Sequence, residues 1–146
     1  IYGISKSLGE GYQFCNIRTS IIGEDPRSNK SLLEWVKSCG NQTIKGYENH
    51  VWNGVTCLQL AKIIDYMINN GIYWNGTRHI FTNSSINKYE LCCLICDVYK
   101  LDTIVEPYQC KIPKTMILDT IHPSKWFHKL IPSFYRQVLQ QKMFGI

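Results

Sequence analysis

Residues 1–20, IYGISKSLGEGYQFCNIRTS, decide how the rest of the chain is read. Ile4, Leu8 and Tyr12 recur at i, i+4 and i+8, which predicts a short helix over residues 2–12 with that face turned inward. Gly3, Gly9 and Gly11 each weaken such a helix by about 1 kcal/mol relative to Ala, so it is expected to form only against a packing partner. Phe14–Thr19 then alternates as a strand, with Cys15, Ile17 and Thr19 on one face. Tyr2 and Lys6 stand four residues apart on one side of the helix, about 200° around from the Ile4 and Leu8 face.

Outward from this stretch, helical and extended patterns alternate. Gly23–Asn29 reads as a loop, and Ser31 opens a helix to about Ser38, with Glu34 in the capping-box position and Gly40 as its stop. Thr43–Tyr47 and His50–Trp52 read as short strands. Leu60, Ile63, Ile64, Met67 and Ile68 carry the strongest helical period, over Thr56–Asn70, and Gly71 follows as a stop. Arg78–Thr82 is expected to be a strand, and Ser84 or Ser85 to cap a second strong helix ending at Lys100. Ile104 and Val105 form another strand. Pro107, Pro113, Pro123 and Pro132 divide the last forty residues, which leaves Ser133–Lys142 as a terminal helix. The alternation predicts an α/β chain.

The 146 residues suffice for one core. Residues 1–106 carry ten basic and ten acidic side chains, so the whole net charge of +5 lies in residues 107–146. A local excess of this size is unlike the dense basic face of a nucleic-acid binder, and no nucleic-acid partner is expected. No apolar run approaches the ~20 residues of a membrane helix, and no signal peptide is visible, so no membrane partner is expected either. Seven cysteines, an odd number, favour reduced thiols in a cytoplasmic setting. The sequons at Asn41, Asn75 and Asn83 are read as chance in an Asn-rich chain.

The chemistry begins with the Tyr2/Lys6 pair. A tyrosine serves as acid or base near neutral pH only when its pKa falls from about 10, and a neighbouring cation does this by favouring the phenolate. A lone Tyr-x-x-x-Lys is weak, but it stands among further blocks. These are Arg18-Thr19-Ser20, Gly76–Thr82 running into Lys88-Tyr89-Glu90-Leu91, Lys114–Thr120, and Ile131-Pro132-Ser133-Phe134. In this order and over nearly all of the chain, they resemble the C-terminal half of an extended short-chain dehydrogenase/reductase of the nucleotide-sugar 4-keto-reductase (dTDP-4-dehydrorhamnose reductase) type.

The resemblance implies a Rossmann-like α/β fold with a small substrate-binding subdomain, the N-terminal dinucleotide-binding half being absent. Residues 1–20 would supply the catalytic helix and following strand. Residues 21–146 would supply the substrate-binding portion, interleaved with the remaining Rossmann elements. It further implies Tyr2 as the acid that protonates the sugar ketone, and Lys6 as the residue that lowers the tyrosine pKa and holds the ribose of NADP or NAD. Thr19, Ser20 and Ile21 would border the cofactor. Asn49, His50 and Trp52, with Asn53 beside them, would approach a nucleotide-diphospho-sugar, and Lys111 and Lys114 would meet its diphosphate. A homodimer is an arrangement open to such a protein. The chain departs from the family pattern in four places: it has no Gly-x-x-Gly-x-x-Gly run, lacks the upstream Ser or Thr that completes the family's catalytic group, has Ile21 where some relatives place Asn or Trp, and has Ile112 where relatives often carry Arg before the proline. By itself it is therefore expected not to bind a dinucleotide in the family manner, and to be inactive alone.

The other reactive side chains have plainer readings. Cys92, Cys93 and Cys96 fall in a helix with no matching second pair, so they are expected to be buried thiols with no metal. His79 reads as a satisfied core histidine, and Lys125, Lys129 and Lys142 as solvated tail cations. Besides the reductase, two functions remain open: a nucleotide-sugar epimerase or dehydratase of the same superfamily, and a non-catalytic reductase-like binding or regulatory subunit.

Overall fold

The computed structural model describes residues 1–25, 27, 28, 30–122 and 126–145, with the side chain of Tyr2 outside that description. The tail cation Lys125 also lies outside the described residues. The chain is α/β, with short parallel strands joined by helical crossovers. β1 (Cys15–Arg18) runs parallel to β6 (Gly76–His79), and β2 (Ile21–Ile22) parallel to β5 (Val55–Thr56). β3 (Thr43–Tyr47) runs parallel to β8 (Ile104–Tyr108). β4 (His50–Trp52) lies at the centre of a three-stranded sheet, antiparallel to β7 (Ile86–Asn87) and parallel to β9 (Lys114–Met116).

The helices are set by their caps. The Ser31 hydroxyl accepts the Glu34 N–H at the start of α2 (Leu32–Ser38), but Glu34 turns its carboxylate to Lys37, so only half of the expected capping box forms. Thr56 caps α3 (Cys57–Asn69). The cap of α4 (Lys88–Tyr99) is Asn87, not Ser84 or Ser85. Asn87 and Glu90 form a reciprocal capping box, and the residues just before them are drawn into β7. Ser133 caps α5 (Phe134–Phe144).

Two apolar clusters hold these elements together. One gathers Leu33 and Val36 of α2 and Leu91, Cys92 and Ile95 of α4 with Phe134 and Val138 of α5. The other joins Ile63 and Met67 of α3 to Trp74, Ile80, Phe81 and Phe127. β6 spans Gly76–His79, shifted from the expected 78–82, because Thr82 leaves the ladder to bond both Asn53 and Gly54 in the interior.

The first helix departs most from the sequence reading. α1 covers only Tyr2–Ser7, and Ile4 and Leu8 are 67% and 83% exposed instead of packed. Two glycines follow closely, so the helix stops within two turns and its apolar face is left without cover among the described residues.

Candidate functional site

Two clefts meet at the loop that follows β1. The first, a groove of about 780 Å³, runs along α1 and β1 and is lined by Lys6, Glu10, Arg18, Thr19 and Ile21. Arg18 is committed here, since its guanidinium donates two hydrogen bonds of 2.7 and 2.6 Å to the Glu10 carboxylate. That contact holds the Glu10 carboxyl below the usual carboxylate range. Lys6 is the second cation that lines this groove. Tyr2 and Lys6 stand one turn apart on α1.

The second cleft, about 440 Å³, lies against the β7–β4–β9 sheet. Its floor follows from register. His50 and Trp52 are two apart on β4 and so share a face, and their ladder partners Lys114 and Met116 on β9 share it with them. Ser20, Ile21 and Ile22 from the β1–β2 segment, Ser31 and Leu32 from the start of α2, Tyr47 from β3, and Lys88 and Leu91 from α4 complete the lining. Lysines and a histidine line it, and among the described residues no carboxylate does. Ile21 lines both clefts, with Thr19 on the groove side and Ser20 on the sheet side. These three residues are the partition.

The polar cluster at 49–53 divides by role. His50 donates from Nε2 to the Ile112 carbonyl at 3.1 Å, and Trp52 donates its indole N–H to the Ser20 hydroxyl at 2.7 Å. Asn49 and Asn53, by contrast, are clamps. Asn49 donates to the Cys110 carbonyl at 2.7 Å and accepts the Cys110 N–H at 3.0 Å. Asn53 makes the same pair with Leu118, both bonds at 2.8 Å. The two asparagines bracket β4 and pin both ends of the segment that contains β9.

Lys114 reaches the cleft, whereas Lys111 is exposed and lines neither space. Lys142 is exposed, as expected of a tail cation, but its ammonium also donates to the Val98 carbonyl at 2.7 Å near the end of α4. His79 is satisfied, by the Asp119 carbonyl at 2.7 Å, but it is half-buried at the end of β6 and not in the core. Cys92 and Cys96 are buried thiols, whereas Cys93, on the flank of α4 between them, is only half-buried; all seven cysteines are free, and among the described residues no group of His, Cys, Asp and Glu is arranged to hold a metal. Sequence reasoning missed Tyr47 and Lys88 as site residues. Lys88 falls in the quoted Lys88–Leu91 block, but its approach to the cleft depends on β7 pairing with β4.

No protein-family model matches the sequence, and no curated protein sequence matches it. Solved structures do. The dTDP-4-dehydrorhamnose reductase from Bacillus anthracis, in complex with NADP, superposes with a TM-score of 0.68 at 16% identity, over 89% of this chain and 48% of that one. The corresponding reductase from Clostridium acetobutylicum gives 0.62 at 17%, over 88% and 47%. The Thermus thermophilus UDP-glucose 4-epimerase, in complex with NAD, gives 0.58 at 13%, over 89% and 46%. What is shared is the fold. This chain has the Rossmann-like architecture of nucleotide-sugar reductases, epimerases and dehydratases, and it spans about half the length of the structures it matches.

The two matched complexes contain nicotinamide dinucleotides. The groove carries Lys6 in its lining, and at Gly3, also in the lining, an added Cβ would meet nothing within 4 Å, so the residues present are compatible with one end of such a molecule. A seat for the dinucleotide diphosphate of the glycine-rich kind is not encoded in this sequence. Among the described residues no helix is long and apolar enough to cross a membrane.

Proposed function

We propose that this chain is the substrate-side, C-terminal part of an NAD(P)-dependent oxidoreductase that reduces a 4-keto nucleotide-diphospho-sugar. The observation that carries the reading is the partition itself: the segment Thr19-Ser20-Ile21, running from the turn after β1 into β2, separates a groove holding Lys6 from a cleft holding His50, Trp52 and Lys114 and, among the described residues, no carboxylate. A reductase needs this arrangement, because the sugar and the cofactor must touch at one point and bind apart everywhere else. Residues 1–20 would then belong to the cofactor side and residues 21–146 mainly to the substrate side.

When bound, the nicotinamide supplies the hydride. Tyr2 gives its phenolic proton to the ketone oxygen as the carbonyl carbon accepts the hydride, leaving an alcohol and a phenolate that solvent reprotonates. Lys6, one turn along α1, favours that phenolate and holds the ribose hydroxyls of the cofactor. Lys114 meets the anionic part of the substrate from β9. The seven free thiols support placing the reaction in the cytoplasm.

The test joins this chain to a dinucleotide-binding half and follows nicotinamide absorbance with 4-keto nucleotide sugars. Net consumption of reduced cofactor that Tyr2→Phe abolishes, with cofactor affinity kept, is the expected result. A Tyr2→Phe protein that turns over normally would overturn the assignment of Tyr2, and turnover without net consumption would make the protein an epimerase or dehydratase.

A further inference from the structure

Lys88 is the first residue of α4, and its ammonium lies 5.6 Å from the centre of the Trp35 ring and 5.3 Å from that of Tyr47. Aromatic faces hold a cation in place without cancelling its charge. Among the described residues Lys88 makes no ion pair, and neither does Lys114. The two approach the same cleft from opposite sides: Lys88 directly follows β7, Lys114 opens β9, and β4 runs between them. The flanking strands of a three-stranded sheet are about 10 Å apart, a gap that two lysine side chains can close on one group. Like charges converging on a space without a carboxylate repel each other until an anion enters.

The surroundings narrow the anion. Tyr47, which holds Lys88, also lines the cleft and meets the His50 ring edge-on at 4.7 Å, so a flat aromatic surface stands next to the cationic gap. A ligand with a compact multiple negative charge joined to a ring system matches this pairing of features better than a bare carboxylate.

We propose that Lys88 and Lys114 together seat the diphosphate of a nucleoside-diphosphate ligand, with Trp35 acting as a positioning residue for Lys88. The proposal rests on the substrate class proposed above and adds the residue that fixes where its charge is held. Trp35 does not line the cleft, so it acts on the ligand only through Lys88.

The test is calorimetric titration of the full 146-residue chain with uridine diphosphate, thymidine diphosphate, uridine, inorganic pyrophosphate and NADP, at low and physiological salt. The nucleoside diphosphates are expected to bind more tightly than uridine. Lys88→Met is expected to weaken them about tenfold or more, the size of one charge-assisted contact, and Lys88→Arg to restore most of the loss. Trp35→Leu should weaken the diphosphates several-fold and leave uridine unchanged, a charge-selective loss that a merely structural role would not produce. Equal diphosphate binding by the parent chain and Lys88→Met would overturn this proposal and leave the substrate class standing. NADP binding as tightly as the nucleoside diphosphates, with the same loss in Lys88→Met, would move the diphosphate to the cofactor and overturn it too. Absence of diphosphate binding by the parent chain would also overturn it, while the turnover assay above judges the proposed reaction separately.

Discussion

Trp52 donates its indole N–H to the Ser20 hydroxyl at 2.7 Å, which ties the floor of the sheet-side cleft to the partition between the two clefts. Trp52 is buried, so Ser20→Ala leaves its indole donor without this partner. The expected cost is about 1–2 kcal/mol in urea unfolding. Trp52→Phe should cost more, since it also alters a packed ring that lies 5.7 Å from Phe134. The double variant should cost less than the two singles summed, because both remove the same bond. Strict additivity would show that the bond is not formed in solution.

Gly54 sits where this partition meets β5. A Cβ there would overlap the Ser20 carbonyl oxygen and the Trp52 ring, and that carbonyl is already held by the Val55 N–H at 2.9 Å. Neither neighbour is a flexible side-chain end. Gly54→Ala should therefore destabilise the fold by about 3 kcal/mol, the upper range for overpacking. Gly40→Asn serves as the control: a Cβ at Gly40 would meet nothing within 4 Å, and Asn tolerates its left-handed φ of +57°.

The two asparagine clamps predict unequal losses. Asn53 is buried and Asn49 only half-buried, though each makes the same pair of bonds to the tail backbone. Asn53→Ala should cost about 2–3 kcal/mol and Asn49→Ala about 1 kcal/mol, since water reaches the second site and can replace what is lost. Hydrogen exchange locates the effect: the Leu118 amide should lose protection in Asn53→Ala, and the Cys110 amide in Asn49→Ala. Uniform loss across both would mean that the segment opens as a unit.

These clamps also show where the sequence ceased to be legible. The periodic elements were readable, because α3 and α4 write their buried faces into apolar spacing and α2 carries its cap at Ser31. α1 was misread for a physical reason: Ile4, Leu8 and Tyr12 keep a helical period that two closely spaced glycines do not let the backbone follow. β2, β5, β7 and β9 are two or three residues long, too short for any alternation to register, and they exist through pairing with distant strands. For the site, Lys114 and Trp52 were readable as candidates. That Asn49 clamps instead of lining the cleft, and that Lys88 faces it, depends on contacts between residues about 60 apart in Asn49–Cys110 and on the β7–β4 pairing.

Gln137 predicts how α5 is fastened. Its Oε1 accepts the Thr56 N–H at 3.1 Å at the head of α3, and its Nε2 donates to Thr82 and to the Pro132 carbonyl. One turn later Gln141 accepts the Leu58 N–H at 3.0 Å. Two amide side chains on α5 thus cap the start of α3, alongside Thr56. Gln137→Leu keeps the volume roughly but leaves a buried N–H unpaired, and should cost about 2–3 kcal/mol. Gln137→Met should behave alike, since the missing group is polar and not steric. A loss below about 0.5 kcal/mol would mean that water replaces the amide at this site.

The alkaline limb of stability owes most to two acids on α4, the buried Cys92 and the half-buried Tyr99. Burial pushes the Cys92 thiol up to about 12, against the opposing pull of the Lys88 charge. Burial, reinforced by the charges of Glu24 and Glu34, pushes the Tyr99 phenol up to about 12 as well. Both groups are neutral when protonated, and the unfolded chain releases these protons from ordinary values of 9.0 and 10.0. Between those values and about 12 the folded state therefore binds more protons than the unfolded one, so stability falls as pH rises through that window and is flat below it. The urea midpoint should be level from about pH 7 to about pH 8.5 and decline steadily above about pH 9. Cys92→Ala should shrink the part of the decline that begins near pH 9, to which burial of Cys57 and Cys96 also contributes, and leave the part that begins near pH 10. Native-state alkylation supplies the independent check: Cys92 should stay unmodified by iodoacetamide at neutral pH and react only on unfolding, and rapid native labelling at Cys92 would contradict its burial.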